Sequence, residues 1–148
     1  MIDKLHPAIR TMAQQFIDAA KKEGIELKIT FGFRTFPEQQ ALYDKGRTPE
    51  SIAKGEKIVT KAKPGQSFHN YALAIDVVEI MDKKAIWENP RWNRIGEIGE
   101  SVGFEWGGRW TFVDKPHFQF PKNMKYTALL ALKNAGKVDQ EGYVILPA

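Results

Sequence analysis

Two histidines and one aspartate are the residues of this chain whose types and spacing best suit chemistry. His69 stands seven positions before Asp76, and His117 follows downstream in Asp114-Lys115-Pro116-His117-Phe118. Asp76 lies inside residues 73–80, a short, β-branched, mostly apolar run that reads as a buried strand. A buried carboxylate is costly unless it is paired, hydrogen-bonded or bound to a metal. Two imidazoles and one carboxylate can form a three-ligand zinc site, with a fourth position left for water. Taken singly, each residue also fits a structural role, with Asp76 bonded to backbone N–H groups and both histidines inert. Periodicity does not pair them either. His69 and Asp76 differ by an odd number of residues and would face opposite sides of one regular strand. His69 must therefore sit in the loop before the strand, or a bulge must intervene.

The elements that must position these groups are legible in outline. Leu5, Ala8, Ile9, Met12, Ala13, Phe16, Ile17 and Ala20 follow helical spacing, and Gly24 closes an amphipathic helix expected over 7–23. His6, at its start, reads as a surface residue. Residues 26–33 alternate and read as a strand. Thr35-x-x-Glu38 is a capping-box pattern with Pro37 in the first turn, so a short helix should run on to Gly46. Arg34 then falls at a strand-to-helix junction, where side chains commonly face a cleft. Residues 47–66 are polar and read as a long loop, with a short strand expected at Ile58-Val59-Thr60. Lys54, Lys57, Lys61 and Lys63 there read as a solvated face.

Asp82-Lys83-Lys84 looks like a hairpin turn. Asn89-Pro90 reads as an N-cap followed by proline at the first helical position, and Gly103 ends that helix. Its internal glycines, Gly96 and Gly99, predict that something packs close. Pro116 keeps Lys115 out of the helical region, so Asp114-x-x-His117 does not lie on a helix. Residues 117–120 alternate and read as a strand beside 73–80. Asn123 is expected to cap a last helix closed by Gly136, and a strand is expected at 143–146. Trp106 and Trp110 fit either a substrate-groove wall or the core.

Ser67-x-His69-x-x-x-x-Ala74-x-Asp76, followed by Asp114-x-x-His117, resembles the zinc peptidases that cut bacterial peptidoglycan peptides. These are the D-Ala-D-Ala carboxypeptidase, D-Ala-D-Ala dipeptidase and L-alanyl-D-glutamate endopeptidase group, and the resemblance is nearest to phage endolysin peptidase domains. It runs from Gly32-Phe33-Arg34-Thr35 to Pro116-His117-Phe118, with all parts in order. One departure is Ala72, where the family usually has glycine; if the position needs positive φ, alanine strains the turn after His69. The resemblance implies an α+β fold, a small antiparallel sheet carrying a zinc site with helices packed around it. It implies that His69, Asp76 and His117 hold Zn2+. Asp114 is then the general base, with Glu105 outside the motif as the alternative. Arg34 stabilises the oxyanion or grips a substrate carboxylate, and Ser67 and Trp106 lie near the substrate. The implied reaction is hydrolysis of the L-alanyl-D-glutamate bond of stem peptides. The alternatives are removal of terminal D-alanine, or a non-catalytic zinc-binding module of the same fold.

Composition bounds these readings. The chain has 148 residues, 43% hydrophobic and 27% charged, which suits one soluble globular domain; the resemblance implies a single zinc peptidase domain over 1–148, and no separate wall-binding domain is expected. There is no cysteine, so any zinc must use histidine and carboxylate. The formal net charge of +4 serves solubility or attraction to an anionic polymer. No nucleic-acid motif is present, so no nucleic-acid partner is expected. The N-terminus has no apolar stretch typical of a signal peptide, and nothing reads as a membrane span. The expectation is a monomer made in the cytoplasm and acting on the cell wall after release, as in phage lysis.

Overall fold

Five antiparallel strands form the sheet, and a computed structural model describes it together with the rest of residues 1–148. The residues group into two compact units. One holds residues 1–33 and 72–124; the other holds 34–71 and 125–148.

The first unit carries the whole sheet. Helix α1, Pro7–Lys22, begins where His6 Nδ1 accepts the Ala8 N–H at 3.0 Å and Pro7 occupies the first turn. His6 is therefore a buried cap, not the surface residue expected. Ile9, Ala13, Phe16 and Ala20 form the buried face, and Gly24 at φ 77° takes the left-handed position after the helix. Strand β1, Leu27–Phe31, pairs with β2, Ala74–Met81; a register shift between Ile29 and Phe31 brings Phe31 opposite Asp76. The expected hairpin is present. Asp82 and Lys83 both have positive φ and turn β2 into β3, Lys84–Ile86. Strand β5, His117–Gln119, pairs with β2 on its other side and then with β4, Glu105–Trp106.

Helix α4, Trp92–Ser101, starts later than Asn89-Pro90 predicts. Asn89 opens the turn that precedes the helix. Its Nδ2 donates to Glu79 Oε1 at 2.8 Å, and its Oδ1 accepts from Arg91 N at 2.8 Å. Glu79 is a buried carboxylate, and Arg91 completes its neutralisation. The close packing predicted from Gly96 and Gly99 is borne out. A Cβ on Gly96 would overlap the Trp106 ring, and one on Gly99 would overlap the Phe118 ring. Phe118 also meets Phe16 edge-on, with ring centroids 4.7 Å apart, and stacks with Trp106 at 6.3 Å.

The second unit is built from helices α2, Phe36–Asp44, α3, Pro49–Ala53, and α5, Tyr126–Asn134. The Thr35–Glu38 capping box forms as the sequence predicts. Helix α3 corrects the reading of 47–66 as one loop. Thr48 caps it and Pro49 takes its first position, a start signal hidden in a polar stretch. No strand forms at 58–60. Asn123, at φ 62°, lies before α5 and does not cap it; Lys125 holds the cap position. The tail forms an isolated bridge between Val138 and Val144 rather than a strand at 143–146. The Tyr71 hydroxyl donates to the Gly65 carbonyl at 2.6 Å, and burial pushes its pKa up to about 12.

Gly99→Ala should separate helix propensity from packing. Alanine would favour the helix by up to about 1 kcal/mol, but overpacking against Phe118 should cost about 1–3 kcal/mol. The expected result is a net fall in melting temperature of a few degrees, read by thermal unfolding. A rise would mean that the Phe118 ring yields without cost.

Candidate metal centre

Asp76 sits in the middle of β2, directly opposite His117 on β5. Residues opposite each other in an antiparallel pair share a face, so the two side chains project together. His117 Nδ1 lies 3.4 Å from Asp76 Oδ1. His69 stands on a short 3-10 turn, Phe68–Tyr71, just before β2. The strand-parity problem therefore does not arise, because His69 belongs to the turn. His69, Asp76 and His117 each offer one ligand atom, and these atoms lie within 4.8 Å of one another. Both histidines are buried, and Asp76 is partly exposed.

The local bonds set the orientation of each group. His69 N–H donates to Ser67 Oγ at 3.2 Å, and the His69 carbonyl accepts Arg34 N–H at 2.9 Å. His117 Nε2 bonds Gln119 Oε1 at 2.7 Å. An amide oxygen only accepts, so Nε2 donates in that bond, and Nδ1, on the Asp76 side, is the ring nitrogen that can serve as a metal ligand once deprotonated. Gln119 was not singled out from sequence, although its position two residues beyond His117 places it on the same strand face. Burial alone would lower the His117 pKa. The hydrogen bond to Asp76 and its charge, with Gln119 and Asp114, outweigh that and raise it above the usual histidine value.

Asp114 is exposed, and its Oδ2 lies 4.0 Å from His117 Nδ1. Its backbone is fixed: Asp114 N–H donates to the Gly107 carbonyl at 2.9 Å, and the Asp114 carbonyl accepts His117 N–H at 3.2 Å. A side chain at Gly107 would collide with the Asp114 carbonyl, which explains glycine there. Trp106 is only 3% exposed, and its ring is covered by Gly96, Gly108 and Phe118. This corrects its expected place in a substrate wall. Trp106 is a core residue, and its Nε1 donates to the Lys115 carbonyl at 2.8 Å, bracing the Asp114 loop. Trp110 lies tilted against His117, with ring centroids 5.2 Å apart. Glu105, the alternative base, accepts from Trp110 Nε1 at 3.0 Å and is not part of the His/Asp/His group. Arg34 is half-buried, and its Nη1 donates to Gln39 Oε1 at 3.1 Å.

The donor set fits a catalytic metal. Tetrahedral zinc with ligands at ~2.0–2.2 Å separates neighbouring ligand atoms by ~3.4 Å. The Asp76–His117 separation of 3.4 Å meets that value before any adjustment. Three protein donors leave a fourth position open, as catalytic zinc requires and structural zinc does not. Ala72, which follows the His69 turn, has φ 58°, so the turn does require the left-handed conformation.

The chain is similar to proteins of known family and fold. The family VanY, D-alanyl-D-alanine carboxypeptidase, matches residues 2–120. The peptidoglycan L-alanyl-D-glutamate endopeptidase CwlK of Bacillus subtilis (strain 168) is 41% identical over 130 residues, covering 80% of this chain and 75% of its own length. The L-alanyl-D-glutamate peptidase of Listeria phage A118 is 28% identical over 123 residues, covering 80% of this chain but 39% of the phage protein. Among solved structures, a mutant of the vancomycin-resistance D,D-pentapeptidase VanY in complex with Zn(II) superposes with a TM-score of 0.62 at 22% identity. That match covers 86% of this chain and 78% of the other.

Metal analysis of the purified protein should find about one zinc per chain, as a three-ligand catalytic site predicts. His117→Ala should remove most of it while far-ultraviolet circular dichroism stays unchanged. Full zinc occupancy in that variant would refute the ligand assignment.

Proposed function

The chain belongs to the VanY family of D-alanyl-D-alanine carboxypeptidases, and from that premise we propose that it is a zinc peptidase of peptidoglycan cutting the L-alanyl-D-glutamate bond of stem peptides. The observation that carries this reading is the His69, Asp76 and His117 group with the Asp114 carboxylate beside it. The bond assignment is supported by the names of the Bacillus and phage relatives. We take the protein to act as a monomer at the cell wall, with zinc as its metal. No helix is long and apolar enough to cross a membrane.

Zinc held by His69, Asp76 and His117 would polarise the scissile carbonyl and bring the pKa of a water toward ~7. The remaining chemistry falls to this chain's own side chains. A proton acceptor must stand within reach of the attacking water. The three ligands are committed, whereas the Asp114 carboxylate is exposed and aimed at the same edge of His117. Asp114 takes the water's proton and returns it to the leaving amine. Peptide hydrolysis builds negative charge on the carbonyl oxygen, and Arg34 supplies a fixed cation for that charge or for a substrate carboxylate. Gln119 keeps the His117 ring in the tautomer that exposes Nδ1. Ser67, whose hydroxyl caps the His69 turn, lies next to the substrate in this reading.

Removal of terminal D-alanine is the second reading, favoured by the family's own description. Mass spectrometry of fragments from purified peptidoglycan separates the two. Cleavage of the L-alanyl-D-glutamate bond frees peptides with an N-terminal D-glutamate, whereas carboxypeptidase action frees D-alanine. Absence of both products would leave a zinc-binding module and overturn the proposal. Asp114→Asn keeps the shape of the side chain and removes its basicity. It should slow hydrolysis by roughly 100- to 10,000-fold, the usual worth of a positioned acid or base, with zinc content unchanged. Loss of zinc along with activity would make Asp114 a ligand or a support for one.

A further inference from the structure

Arg34 is held by two buried amides. Gln39 on α2 is 0% exposed, and Asn70 in the 3-10 turn is 5% exposed. Gln39 Oε1 accepts from Arg34 Nη1 at 3.1 Å and from Asn70 Nδ2 at 3.3 Å. Gln39 Nε2 donates to the Ala62 carbonyl at 2.8 Å. Asn70 Nδ2 also donates to the Arg34 carbonyl at 3.1 Å, while its Oδ1 accepts from Gly65 N at 3.0 Å and Ser67 N at 3.3 Å. Both ends of both amides are used. The pair fastens the guanidinium, the Arg34 backbone and the 62–67 loop to one another.

The chemistry of the acceptor matters as much as its position. An arginine side chain carries about 2 kcal/mol of rotamer entropy, and a fixed acceptor selects one orientation. A carboxylate in place of Gln39 would hold the guanidinium at least as firmly, because charge-assisted bonds are the stronger ones. It would also neutralise the cation, which would then be worth less to a developing oxyanion or a substrate carboxylate. A neutral amide oxygen orients Arg34 and leaves its charge intact. A leucine would fill the space but would leave the Ala62 carbonyl without this donor and the guanidinium without this guide.

We propose that Gln39, backed by Asn70, is a positioning residue that fixes the Arg34 guanidinium in one orientation without cancelling its charge. The inference rests on the peptidase reading for its consequence and on the hydrogen-bond network for its existence. The two are tested separately. Nitrogen NMR of the Arg34 guanidinium, without substrate, should resolve separate Nη signals in the wild type and merge them in Gln39→Leu. Unchanged signals in the leucine variant would overturn the proposal, whatever the enzyme's activity.

The kinetic arm uses a double-mutant cycle. Gln39→Leu should lower kcat/KM by about 10- to 100-fold, the scale of a small misplacement of a substrate-facing group. In an Arg34→Ala background the same change should cost less than about twofold, because its target is gone. Equal losses in both backgrounds would mean that Gln39 serves the fold and not Arg34. Should the leucine variant fail to fold, Gln39→Glu replaces it. That variant should keep the Arg34 signals resolved yet raise KM, and a wild-type KM with resolved signals would refute the role of the neutral acceptor. A wild type that releases no peptide would defeat the peptidase reading alone, and the NMR result would still decide the role of Gln39.

Discussion

Asp76 meets His117 because β2 and β5 pair antiparallel in one register, with Ala74 opposite Gln119 and Ile75 opposite Phe118. A slip of one residue would turn every β5 side chain to the other face of the sheet. The backbone pins the register at both ends, through Val77 N to the Pro116 carbonyl at 3.0 Å and Phe120 N to the Leu73 carbonyl at 3.0 Å. The core pins it too, since Phe118 is fully buried against Phe16, Phe104 and Trp106. The alternation of a strand then leaves its neighbours His117 and Gln119 on the opposite face. Burying an aromatic ring on one side thus decides where an imidazole stands on the other.

The same core reaches the proposed base. Gly96 and Gly99 on α4 let Trp106 and Phe118 approach the helix more closely than any side chain would permit. Trp106, so placed, spends its indole N–H on the Lys115 carbonyl, and Gly107 bonds the backbone of Asp114. Asp114 is exposed, yet the backbone beneath it is tied to the interior on both sides. This is how a solvent-facing carboxylate is given a fixed address without being buried.

Much of this was legible in the sequence where a signal is local and strong. The apolar run around Asp76, the amphipathic pattern of α1 and the capping box at Thr35 each correspond to an element in the structure. The three residues of the candidate metal site come together in the fold, but strand periodicity alone would not have paired them, because His69 stands in a turn. The misreadings have separate physical causes. Asn89 is read as a helix cap, and its Oδ1 does accept Arg91 N–H, but the helix begins only at Trp92 and its Nδ2 serves Glu79, whose burial no local pattern reveals. His6 looks like a surface residue and is a cap. Trp106 could face a groove or a core, and its close packing on Gly96 and Gly108 decides for the core. Gln39 and Asn70 were invisible because a buried amide has no sequence signature apart from the groups it bonds.

Ala72 carries a different kind of consequence. Alanine in the left-handed region costs about 1–2 kcal/mol. Glycine would relieve that strain, but it would give up about 0.8 kcal/mol of methyl burial and about 0.5–1 kcal/mol through greater freedom of the unfolded chain. Ala72 is fully buried and its carbonyl accepts His6 N–H at 2.9 Å, a bond that either residue can make. The opposing contributions nearly cancel. Exchange between alanine and glycine at this position is close to free, so lineages can drift across it in either direction without passing through a less stable ancestor.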